Sequence, residues 1–89
     1  MILVVGKLEI LDGKRDELVV RSQESVVAAR STAGCLEFAV SADPLDINRV
    51  NIHEEWMSKT ALDEFRNNGP TDDLFDLVVS FSVKEHEIG

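Results

Sequence analysis

Eighty-nine residues with nine basic and seventeen acidic side chains carry a formal net charge of −8, which sets most of the surface against a phosphate backbone and argues against nucleic acid as a partner. Hydrophobic residues make up 44%, which excludes disorder, and no run approaches the ~20 apolar residues needed to cross a bilayer, so no membrane partner is expected. So short a chain buries only roughly two-thirds of the surface it exposes when unfolded, and a second subunit is the simplest enlargement of its thin core.

Residues 2–11 are rich in β-branched and long apolar side chains and end at Asp12-Gly13, a turn signal, so they read as a first strand. The run from Leu3 to Val5 suggests burial on both faces. Residues 14–33 contain neither proline nor glycine, and Leu18, Ser22, Val26, Ala29 and Ala33 recur at helical spacing, predicting a long helix ended by Gly34. A short second strand over 35–41 stops at the breaker Asp43-Pro44. The third strand, 49–56, places Val50, Ile52, Glu54 and Trp56 on one face and Asn51, His53 and Glu55 on the other. Ser58 is the N-cap of a second helix running to about residue 67, with Ala61, Leu62 and Phe65 as its apolar stripe. Asn67-Asn68-Gly69-Pro70 stops it. Thr71, followed by Asp72 and Asp73, looks like a helix start, and Leu74, Phe75, Leu77, Val78 and Phe81 continue a helical face. A short third helix is therefore expected over 71–81, although the VVSFSV run also suits a strand, with a final strand over 82–88.

This order is the split βαβ pattern of an α+β, ferredoxin-like fold: a four-stranded antiparallel sheet with helices on one face and the other left for something else to cover. The chain reads as a single domain over residues 1–89, without repeats, low-complexity tracts or linkers. The opening MILVVGKLEI lacks the basic start and cleavage site of a signal peptide, so a cytoplasmic location is expected. The lone Cys35 permits no intrachain disulfide or cysteine metal cluster and suits a reducing compartment.

Three stretches carry a resemblance: Gly13-Lys14-Arg15-Asp16-Glu17-Leu18 before the first helix, Ala33-Gly34-Cys35-Leu36-Glu37-Phe38 into the second strand, and Glu54-Glu55-Trp56-Met57-Ser58-Lys59-Thr60-Ala61-Leu62-Asp63-Glu64-Phe65 from third strand into second helix. Together with the strand order, these make the chain resemble the antibiotic biosynthesis monooxygenase family, whose members are dimeric α+β barrels. The resemblance implies a homodimer that uses dioxygen to oxygenate an electron-rich aromatic, such as a hydroquinone or anthrone, with no cofactor: neither metal nor flavin. The chain departs where members often carry histidine on or just after the second helix, having Phe65 and Pro70 there. Haem-degrading relatives need that imidazole and a first-strand asparagine, where this chain has Phe65 or its neighbours and Gly6, so no haem is implied. An asparagine that some oxygenases place four residues before the tryptophan is Ile52 here, with Asn51 one step away on the opposite strand face.

Such a reaction needs a base to deprotonate the substrate and a dry pocket to contain the reactive intermediate. His53 has the reference pKa nearest working pH, with Asn51 and Glu55 beside it to orient the ring or bind a phenolic oxygen; the alternative is that it only fills the sheet face. Glu54 is either a buried carboxylate paired with an arginine or a helix amide, or a base with a raised pKa. Trp56 and Phe65 either wall a substrate pocket or lock strand to helix. The acidic set Asp72, Asp73 and Asp76 lacks calcium-loop spacing, and no glycine-rich phosphate loop or nucleophile elbow is present. A second functional class stays open: a non-catalytic dimer that binds a small ligand, or a stress-related accessory protein.

Overall fold

The structure, a computed structural model, describes residues 1–69 and 74–89. The chain runs β1 (Ile2–Ile10), α1 (Arg15–Arg30), β2 (Cys35–Ala42), β3 (Arg49–Trp56), α2 (Lys59–Asn68), a single 3₁₀ turn (Leu74–Leu77) and β4 (Val78–Glu87). All pairings are antiparallel in the order β2-β3-β1-β4, giving the expected ferredoxin-like α+β sheet.

α1 ends at Arg30, short of the expected Ala33, because its last carbonyls find side-chain partners. The hydroxyls of Ser31 and Thr32 donate back to Val27 O and Ala28 O at 2.9 and 2.7 Å, and Gly34, at φ +90°, then turns the chain into β2. A side chain at Gly34 would also meet Ala61 Cβ at 2.6 Å, so the same glycine lets α2 pack against the turn. α2 begins as expected, the Ser58 hydroxyl accepting from the Ala61 N–H at 3.1 Å.

The helix expected over 71–81 needs correction. Residues 71–73 lie outside the described residues, and beyond them only the turn at Leu74–Leu77 is helical. The strand starts at Val78, earlier than the expected residue 82. β1 offers a partner along its whole length, from Ile10 opposite Val78 to Ile2 opposite Glu87, and the β-branched and aromatic run 78–83 suits that ladder better than an isolated helix. A register shift at Glu9 and Ile10 absorbs Val79 as an extra residue.

Strand alternation then sorts the chain. One sheet face carries Ile2, Val4, Ile10, Phe38, Val50 and Trp56, all buried, and packs under the helices in two clusters, one around Trp56 with Ala29 and Leu62, the other around Leu18 and Leu77. The opposite face carries Leu3, Val5 and Lys7 of β1, Asn51, His53 and Glu55 of β3, and Ser82, Lys84 and His86 of β4. Leu3 and Val5 are only half-buried there, so the run Leu3 to Val5 is covered fully on the helix side alone. Among the described residues no helix is long and apolar enough to cross a membrane.

Gly34→Ala should lower unfolding stability by about 1–3 kcal/mol, the joint cost of a left-handed backbone and a displaced α2. Urea denaturation would measure it; a loss below about 0.5 kcal/mol would mean that the turn relaxes freely.

Candidate functional site

Trp56 ends β3 with its ring fully buried, and an indole N–H inside a core needs an acceptor. Two residues back on the same strand face, Glu54 Oε1 accepts from Nε1 at 3.0 Å. This draws a carboxylate into the interior, and its burial raises the Glu54 pKa above the usual carboxylate range, against the opposing pull of the Trp56 hydrogen bond and the nearby Arg66 guanidinium. Glu85 acts in the same direction as burial: Glu54, Val4 and Glu85 form one cross-strand row, which places the backbones of the two glutamates roughly 10 Å apart across β1.

Glu85 is held from α2. Arg66 Nη1 donates to Glu85 Oε1 at 2.6 Å and Lys59 Nζ to Oε2 at 3.3 Å, and these bonds lower the Glu85 pKa. Lys59 is itself anchored to Asp63 at 3.0 Å. The latch spans from α2 to the edge strand and brings Arg66 to the Glu54 side of the sheet.

Beyond this row the helix-side face is apolar and thinly covered. Gly6 lies between Ile52 and Val83, and Leu8 between Val50 and Phe81. A Cβ on Gly6 would meet the Ser82 carbonyl oxygen, so only glycine admits β4 this close. The helices pack over β2 and β3, leaving Phe81 66% and Phe75 68% exposed, their rings edge to face at 6.1 Å. An apolar strip of Ile52, Val83, Phe81 and Phe75 thus leads away from the Glu54 carboxyl.

The candidate residues of the sequence divide between two faces. Glu54, Trp56 and Phe65 come together on the helix side, where Phe65 stacks at 5.2 Å on Trp56 and 5.7 Å on Phe38. His53 and Asn51 stand on the open face, separated from Glu54 by the thickness of the sheet. Nε2 of His53 lies 2.9 Å from Glu55 Oε2, within hydrogen-bond distance. Asn51 is committed to the β2–β3 loop: its amide donates to Asp43 Oδ1 at 2.9 Å and its carbonyl oxygen accepts from Arg49 Nε at 2.7 Å. With the backbone N–H groups of Asp46 and Leu45 also donating to Asp43, that carboxyl is held down to about 2. The sequence reading missed Arg66, Glu85 and the Phe75–Phe81 pair. The alternation of Phe81, Val83 and Glu85 was the available signal, hidden by the helical reading of 71–81. Among the described residues no group of histidine, cysteine and carboxylates could hold a metal ion.

A four-stranded sheet covered on one face by two helices, with a half-buried Glu54 bonded to a buried Trp56 at the β3–α2 junction, defines a small ferredoxin-like domain. Residues 1–74 match the antibiotic biosynthesis monooxygenase family, and the chain belongs to it. A protein of Chloroflexus aurantiacus provisionally assigned as an antibiotic biosynthesis monooxygenase superposes with a TM-score of 0.81 at 26% identity, over 99% of this chain and 93% of that one. A similarly assigned Nitrosomonas europaea protein superposes at 0.88 with 10% identity, covering 98% and 97%, which is likeness of fold alone. In sequence the chain is 29% identical over 62 residues to an uncharacterised Synechocystis sp. protein, a match covering 70% of this chain and 42% of that longer protein.

Replacing Glu54 by Gln keeps an acceptor for the indole and removes the buried charge. A carboxyl with a raised folded-state pKa contributes its full stability below its unfolded pKa and loses it as pH rises through the folded value. Glu54→Gln should therefore melt higher than the parent at pH 7–8, the gap closing toward about pH 4; a gap that is constant with pH would show that Glu54 carries no buried charge. Trp56→Ala should cost about 3–5 kcal/mol in chemical denaturation.

Proposed function

We propose that the chain is a cofactor-independent monooxygenase, acting as a cytoplasmic homodimer on an electron-rich quinol- or anthrone-like aromatic with dioxygen as co-substrate. The observation that carries this reading is Glu54: a carboxyl with a raised pKa, oriented by Trp56, at the end of an apolar strip that ends in two exposed phenylalanines. Phe81 and Glu85 lie four residues apart along β4, about 13 Å, a length that suits a fused aromatic.

In this reading ionised Glu54 removes a proton from the activated carbon or hydroxyl of the substrate, and the resulting anion passes one electron to dioxygen. For a methylene substrate, radical recombination forms a carbon–oxygen bond and takes up a proton to give a hydroperoxide. Loss of the remaining hydrogen as a proton and heterolysis of the O–O bond leave one oxygen as a new carbonyl and release the other as water. The Arg66 guanidinium favours the ionised form of this carboxyl. Trp56 and Phe65 supply the dry aromatic backing next to it.

His53 is the rival base, with Asn51 beside it, and would place the chemistry on the open face, in the space a twin subunit would enclose. A binding-only function is favoured by one specific feature: Phe65 closes the aromatic cluster at the helix position where relatives often carry an imidazole.

Aerobic and anaerobic incubation of metal-free protein with a panel of hydroquinones and anthrones tests the reading. Oxygen-dependent turnover is expected to rise with pH through a single ionisation above the ordinary carboxylate range. It should fall roughly 10²-fold or more in Glu54→Gln and stay nearly unchanged in His53→Ala. The reverse pattern moves the base to the open face, and no turnover across the panel moves the protein to the binding class. Light scattering should give twice the monomer mass; a monomer at micromolar concentration overturns the dimer.

A further inference from the structure

α2 turns two different faces to the sheet. Leu62 and Phe65 pack into the cluster around Trp56, whereas Lys59, Asp63 and Arg66, at i, i+4 and i+7, form a charged stripe that meets β4. Among the described residues, both side-chain bonds from α2 to β4 end on one carboxylate, Glu85, with Arg66 Nη1 at 2.6 Å and Lys59 Nζ at 3.3 Å.

Glu54 faces the same guanidinium and is not bonded to it. Its Oε1 accepts from the Trp56 indole, and its second oxygen has no hydrogen-bond partner among the described residues. Arg66 in turn uses only Nη1, so donors remain on the cation and an acceptor on the acid. Glu54 and Glu85 share one row across Val4, with backbones roughly 10 Å apart, and the Arg66 charge is felt at both. A partly desolvated carboxylate gains more from an arginine than an exposed one does, so the inner acid would be the stronger partner if the cation were free to choose. The remaining surroundings offer no other cation among the described residues: Phe38 of β2 lies opposite Glu54, α1 contributes Ala29 to the cluster, and the Cys35 thiol is pushed up by burial and by the Glu54 charge. Glu85 is held below the usual carboxylate range by its bonds to Arg66 and Lys59, and burial raises Glu54, so Glu85 is already ionised and gripping Arg66 where Glu54 titrates.

We propose that Glu85 is a positioning residue for Glu54: with Lys59 it holds the Arg66 guanidinium on β4, so that no ion-pair bond forms to Glu54 and one of its carboxyl oxygens stays free to take a proton from substrate. The assignment rests on the reading of Glu54 as the base. A carboxylate bonded to arginine binds a proton much more weakly, and one buried with no cation in reach stays protonated. Arg66 held on Glu85 avoids both extremes. Glu85 itself touches none of the reacting atoms in this scheme and acts only through Arg66.

The Glu54 carboxyl carbon shift, followed against pH in the full chain, tests the assignment. In Glu85→Gln the released Arg66 should swing to Glu54 and move its titration midpoint to lower pH by about one unit, the scale of an acid gaining an arginine partner. Arg66→Gln should move the midpoint upward, and adding Glu85→Gln to that variant should bring little further change. Glu87→Gln removes the same charge from the same face of β4, opposite Ile2, without touching the latch, and should leave the midpoint in place. An unchanged or raised midpoint in Glu85→Gln overturns the proposal. So does an equal fall in Glu87→Gln, or in Glu85→Gln when Arg66 is already replaced, since Glu85 would then act by its charge alone. The titration needs no substrate, so it is decided separately from the oxygenase reading, which fails on absent turnover. Where a hydroquinone or anthrone is oxygenated, Glu85→Gln should move the onset of turnover to lower pH and lower its plateau, as expected of a weaker base.

Discussion

The hydrogen bond from Trp56 to Glu54 is the constraint from which the helix-side site develops. A fully buried indole N–H must be satisfied, and on a strand the same face recurs every two residues, so the acceptor nearest in sequence is residue 54. Choosing glutamate there solves the indole's problem and creates another, a carboxyl with little water. Arg66 eases the second problem from α2, and Glu85 in turn holds Arg66. One packing decision at the end of β3 thereby fixes the charge arrangement across β3, β1, β4 and α2.

The sheet divides the chemistry of the chain as well as its polarity. Adjacent residues 53 and 54 are separated by the pleat, so an imidazole and a carboxyl that are neighbours in sequence cannot serve one pocket. The helix side combines an oriented carboxyl with exposed aromatic surface. The open side gathers Lys7, Lys84 and a histidine whose Nε2 lies 2.9 Å from Glu55.

Charge is organised in a similar way. In a chain of net charge −8, cations are scarce and most are used to brace structure: Arg15 donates to the carbonyls of Asp43 and Asp46, and Arg49 to Asn51, which together hold the β2–β3 loop, while Lys59 and Arg66 latch α2 to β4. Asp43 collects enough donors to keep its carboxylate ionised well into acid.

The sequence by itself determined the first three strands, both helices apart from the last turn expected of α1, and the two faces of β3, because apolar periodicity and the punctuation at Gly13, Gly34, Pro44 and Ser58 are local properties of the chain. It also carried the family resemblance, concentrated in residues 54–65. It did not determine the fate of 74–81, since Leu, Phe and Val at those spacings satisfy both a helix and a strand, and the free edge of β1 made the choice. Nor could it pair Arg66 with Glu85, nineteen residues apart, or bring Lys7 beside Lys84. Those contacts depend on β4 returning along β1, a long-range pairing with no local signature, and only the tertiary structure decides which distant charges meet.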